Sequence, residues 1–113
     1  MNRFRVGITE ATTVFKEPLT TIGMIVKNRL VCIRKVLGII ENLEYPKEKI
    51  KLVFVDDYST DGTFEILKEW KVRMEKSYYN VILIQEQTNI PQARTLCFRN
   101  MDGDFILFWD SDV

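Results

Sequence analysis

Lys51-Leu52-Val53-Phe54-Val55-Asp56-Asp57-Tyr58-Ser59-Thr60-Asp61-Gly62-Thr63 passes from an apolar run into two adjacent acids and then a hydroxyl-rich turn. Lys51 to Val55 has the length of a strand. Asp56 to Gly62 reads as a polar turn in which Ser59, Thr60 and Asp61 are candidates to cap the first free amides of a following helix. Phe64, Leu67, Trp70 and Met74 then recur at helical spacing and mark that helix's core side. Capping does not account for Asp56 and Asp57, which come before the cap at the C-terminal tip of the strand.

The same unit extends in both directions. Thr21 to Val26 reads as a buried strand, and Ile33, Val36, Leu37 and Ile40 make Leu30 to Leu43 an amphipathic helix, ended by Tyr45 and Pro46. Val81 to Ile84 is a third strand. Pro91 suits the first turn of a third helix, with Ala93, Leu96 and Cys97 on one side, and Phe105 to Trp109 is a fourth strand. Residues 1–19 show only a short alternation, Phe4, Val6 and Ile8, which suits an N-terminal arm or edge strand and leaves 20–113 as the folded unit. Strands separated by helices predict an α/β, Rossmann-like fold: a mostly parallel sheet with helices on both faces. Right-handed crossovers would bring the strand C-termini to one edge, where such sheets bind ligands. Three clusters converge there: Lys27, Asn28 and Arg29; Asp56 and Asp57; Asp110 and Asp112.

Composition narrows the chemistry. Sixteen basic residues balance sixteen acidic ones over 113 residues, so no global field draws the chain to nucleic acid. The chain has no histidine, which removes the usual neutral-pH base and the commonest zinc ligand. Cys32 and Cys97 lack a Cys-x-x-Cys partner and read as small buried hydrophobes of a reducing compartment. No apolar run is long enough to cross a bilayer, and the first residues carry charges where a signal peptide is apolar. These features predict a cytoplasmic protein, with peripheral membrane attachment left open.

Asp110-Ser111-Asp112 follows the apolar fourth strand. In extended chain the two carboxylates face one way, roughly 6.5–7 Å apart. A hard divalent cation with oxygen ligands would relieve their repulsion. Arg94, one turn into the third helix, is either an ordinary surface arginine or a guanidinium aimed at phosphate oxygens.

Together these residues resemble the family 2 glycosyltransferases, whose fold is termed GT-A, over about Thr20 to Val113. Met24-Ile25-Val26-Lys27-Asn28 is similar to a first-strand signature of one branch. The Val-Asp-Asp-x-Ser-Thr-Asp-Gly-Thr turn matches with Tyr58 where glycine is usual. Ala93-Arg94 matches with Thr95 replacing asparagine, and Gly103 to Asp112 resembles the Gly-Asp-strand-Asp-x-Asp segment. Many relatives put an aromatic residue at the place of Lys27. The resemblance implies a nucleoside-diphosphate sugar as partner, UDP-sugar favoured and GDP-sugar as the alternative. It implies nucleotide-sugar binding by Val26, Asn28, Asp57, Arg94 and Asp110, with Asp57 at the base. Mn2+ or Mg2+ would be held by Asp112 with Asp110. The reaction implied is inverting transfer to an acceptor hydroxyl, on a glycan, lipid or protein. No residue matches the catalytic base, so the chain is expected to lack the acceptor half, to leave its sheet incomplete at the C-terminus, to self-associate and to transfer sugar negligibly alone. Alternative readings are a non-catalytic nucleotide-binding or assembly module and a haloacid-dehalogenase-type Asp-x-Asp phosphatase. A sugar nucleotidyltransferase would need a Gly-rich phosphate loop near the first strand, and the chain has none there.

Overall fold

A computed structural model of the chain describes residues 17–109 and 111. Four strands, β1 (Thr20–Val26), β2 (Ile50–Asp56), β3 (Asn80–Gln85) and β4 (Phe105–Trp109), alternate with helices α1 (Ile33–Glu41), α2 (Thr63–Met74) and α3 (Ile90–Arg99). All strand pairings are parallel, in the order β3-β2-β1-β4. The α/β expectation therefore holds, and every described strand ends on the same edge of the sheet. The first part of the arm expected over 1–19, through residue 16, lies outside the described residues. None of the described helices is long and apolar enough to cross a membrane.

Alternation along the strands divides the core. Ile22, Met24, Leu52 and Phe54 face α1 and α2, meeting Ile33, Val36, Leu37, Ile40, Leu67 and Trp70. Val53 and Val55 face α3, meeting Ala93 and Cys97. Burial pushes the Cys97 thiol up to about 11. Trp70 packs edge-on against Phe54 and donates its indole N–H to Glu41 at 2.6 Å. The Tyr78 hydroxyl, beside this cluster, is buried without a partner among the described residues, and burial first, then the Glu41 charge, pushes it up to about 12.

Two local expectations change, and the fourth strand proves exposed. Helix α1 begins at Ile33 rather than Leu30, because the amides of Asn28, Arg29 and Leu30 donate to side chains of the β2–α2 turn instead of entering a helix. Phe64 is only half-buried, with the Lys68 ammonium over its ring, while Ile66 takes a core position. Strand β4 is apolar but not buried: Phe105 and Leu107 are 56% and 55% exposed, because among the described residues it is an edge strand that the helices cover only in part.

The N-terminal edge of the sheet is tied shut. The Thr21 hydroxyl donates to the Asp102 carbonyl at 2.8 Å and accepts the Asp102 amide at 2.9 Å, while buried Lys51 pairs with the Asp102 carboxylate at 2.9 Å. Gly103 follows with φ +83°, and a Cβ there would stand 2.1 Å from the Leu19 carbonyl oxygen. Only glycine fits that approach.

Candidate functional site

At the opposite edge the chain leaves β1 and β2 through two loops that bond to each other. Asn28 and Tyr58, one in each loop, both adopt left-handed backbone, at φ 53° and 48°. The Asn28 amide donates to the Ser59 hydroxyl at 2.8 Å, and the Asn28 side-chain oxygen accepts the Thr60 amide at 2.7 Å. The Arg29 amide donates to Thr63 Oγ1 at 2.9 Å and the Leu30 amide to Asp61 at 3.0 Å. The Thr63 hydroxyl also donates to Asp61, which holds that carboxyl below its usual range.

The caps expected for α2 are thus partly spent elsewhere. Gly62 is the N-cap residue, with φ 102° and no side-chain cap. Asp61 accepts the Thr63 amide, but Ser59 and Thr60 serve the neighbouring loop. Helix α3 has what α2 lacks: Asn89 and Gln92 form a reciprocal capping box, with Pro91 in its first turn.

The two acids at the tip of β2 have different fates. Asp56 is fully buried and accepts from the Ser59 amide, the Ser59 hydroxyl and the Gln85 side-chain amide, so it belongs to the scaffold. Asp57 accepts the Thr88 amide on Oδ1 at 3.1 Å, which fixes its plane. Its other oxygen lies 3.5 Å from the ammonium of Lys27, a side chain 61% exposed. One carboxylate is used up by the fold, and the other is aimed and available.

Asp57 lines a concavity of about 330 Å³ at the strand C-termini, together with Val26, Lys27, Arg29, Thr88 and Arg94. Val26 is 1% exposed, so it can meet a ligand only through a sliver of surface. Arg94 is exposed, and its guanidinium carbon sits 5.2 Å over the Phe108 ring, stacked at the wall. Asn28 is placed outside the lining, its side chain committed to Thr60. A second hollow, lined by Lys27, Asp57, Tyr58, Gln85, Glu86 and Gln87, shares Lys27 and Asp57 with the first.

Asp110 and Asp112 lie outside the described residues; Ser111, between them, is 6% exposed and lines the first concavity. Arg29 Nε donates to its hydroxyl at 3.2 Å, and the Cys32 thiol donates to its carbonyl at 3.1 Å. Cys32 is therefore a half-buried rim residue rather than a core hydrophobe. Arg29 was expected only as one of a cluster at this edge, and Thr88 had no signal in the sequence, because the contacts that place both residues cross between loops.

Residues 21–113 match the sequence pattern of Glycosyl transferase family 2. The chain belongs to that family. Procollagen galactosyltransferase 1-B of Xenopus laevis is 34% identical over 87% of this chain, which spans 20% of that protein. The family 2 chain also superposes on solved glycosyltransferases. A Pyrobaculum calidifontis mannosyltransferase in complex with GDP-Man and Mn2+ gives a TM-score of 0.76 at 25% identity, over 86% of this chain and 28% of that one. Staphylococcus aureus TarS in complex with UDP-GlcNAc gives 0.70 at 27% identity, over 82% of this chain and 26% of that one. The chain thus spans about a fifth of the curated relative's length and about a quarter of these structures.

Proposed function

We propose that this chain is the donor-binding part of a metal-dependent glycosyltransferase that takes a nucleoside-diphosphate sugar and passes the sugar, with inversion, to an acceptor hydroxyl. The observation that carries this reading is Asp57: a carboxylate at a strand tip, oriented by the Thr88 amide and facing a concavity that Arg29 and Arg94 also line. Asp57 would accept a ring N–H of the base, and Arg94 would meet the diphosphate, a task that suits a planar guanidinium. UDP and GDP both present such an N–H, in keeping with relatives crystallised with UDP-GlcNAc and GDP-Man.

Among the described residues no three His, Cys, Asp or Glu side chains gather to hold a metal. The candidate is the Asp110-Ser111-Asp112 triplet, whose middle residue the fold holds at the concavity. Its donor set is all oxygen, which suits Mg2+ or Mn2+. Asp112, with Asp110, would hold the ion. When bound, it neutralises charge that develops on the departing diphosphate.

Calorimetric titration of UDP tests the reading, with manganese, with chelator, and on Asp112→Ala. Binding that needs the metal and falls at least about tenfold in the variant is expected, since removing a ligand strips the ion's anchor. A folded protein that binds neither UDP nor GDP at millimolar concentration would sink the proposal.

A further inference from the structure

The loop after β1 touches each of the other rim segments. Its backbone amides and Asn28 are bonded to the β2–α2 turn. Its side chains reach the other way, to Ser111. Among the described residues, pairing between β1 and β4 runs as far as Met24 opposite Trp109, β4 has no strand on its outer side, and residue 111 is a bend. The sheet ladder therefore stops before residue 111. Ser111 is nonetheless 6% exposed, with its hydroxyl accepting from Arg29 Nε and its carbonyl accepting from the Cys32 thiol. A serine flanked by two aspartates would ordinarily give its hydroxyl to water; here its hydroxyl and its carbonyl are both engaged by one loop. Of the two donors, Arg29 is the stronger, since a thiol is a weak donor and a guanidinium N–H carries charge. The Arg29 backbone is itself anchored through Thr63.

We propose that Arg29 is a positioning residue: through Ser111 it sets where the acidic triplet presents its carboxylates to the divalent ion. The inference rests on the donor-site reading above. It makes the β2–α2 turn and the metal-binding triplet one connected unit, with Arg29 as the link. Groups that orient metal ligands from behind typically change metal affinity by about 10- to 100-fold.

The test measures UDP affinity in manganese by calorimetry, and melting temperature, for wild type, Arg29→Lys, Arg29→Met, Ser111→Ala and the double variant Arg29→Met/Ser111→Ala. Arg29→Met is expected to weaken binding about tenfold, Ser111→Ala by a similar factor, and the double variant no further, because both remove the same link. Arg29→Lys, which keeps one charged donor, should recover to within about threefold of wild type. Raising manganese should restore UDP affinity in Arg29→Met but not in a variant that is merely less folded. Equal affinities for wild type, Ser111→Ala and Arg29→Met, or additive losses, would overturn the role of Arg29 alone. If Arg29→Met does not fold, Ser111→Ala, which removes only a hydroxyl, decides the matter by the same comparison. Wild-type protein that binds neither UDP nor GDP would overturn the donor-site reading, and this inference with it.

Discussion

Two lysine–aspartate pairs sit at opposite ends of the same sheet and do opposite things. At the N-terminal edge Lys51 meets Asp102 at 2.9 Å, with the lysine side chain only 9% exposed and the Asp102 backbone held by Thr21. At the C-terminal edge Lys27 meets Asp57 at 3.5 Å, with its ammonium in solvent and only one Asp57 oxygen held by the backbone. The first pair completes the fold, and removing one partner strands a charge in a place built to cover it. In the second pair a ligand can take over either partner at small cost. Backbone strain divides the same way. Among the described residues the left-handed position at the N-terminal edge is a glycine, whereas at the C-terminal edge, besides Gly62, two residues with side chains, Asn28 and Tyr58, adopt that conformation. Strain of this sort persists where surrounding contacts enforce it, and it concentrates at functional edges.

Gly103→Ala attacks the closed edge most directly. A Cβ 2.1 Å from the Leu19 carbonyl forces the backbone apart and adds left-handed strain, so a loss of about 3 kcal/mol or more is expected from urea unfolding. Lys51→Met should cost about 2 kcal/mol, less than a fully buried pair because the Asp102 side chain is 45% exposed and can recover water. Lys27→Met, the matched change at the open edge, should move stability by less than about 0.5 kcal/mol. Equal losses from these two lysine variants would erase the distinction between the edges. Opposite in sign is Tyr58→Gly: relief of the left-handed strain, offset by the greater freedom of an unfolded glycine, should raise stability by up to about 1 kcal/mol. A loss instead would mean that the Tyr58 side chain contributes packing its exposure does not suggest.

The glycines and tyrosine of the family motifs gain physical meaning from these positions. Gly103, part of the segment leading into β4, is required because the chain passes against Leu19. Tyr58 stands where relatives place glycine, and the backbone keeps the conformation that glycine would favour. Asp56 and Asp57 are indistinguishable by pattern, since both follow an apolar strand. Their separation depended on Gln85 and Ser59 reaching one, and the Thr88 amide reaching the other.

By itself the sequence determined the alternation of four strands and three helices, the single edge where the strands end, and the segments that converge there. Those features follow from periodicity and turn chemistry, which neighbouring residues encode. Only the tertiary structure decided the strand order, and with it the exposure of apolar β4, since nothing within Phe105 to Trp109 tells an edge strand from a central one. It also decided that Ser59 and Thr60 serve the Asn28 loop and that Arg29 grips Ser111. Hydrogen-bond partners 31 and 82 residues apart are matched by the packing of the sheet, and a local pattern carries no record of them.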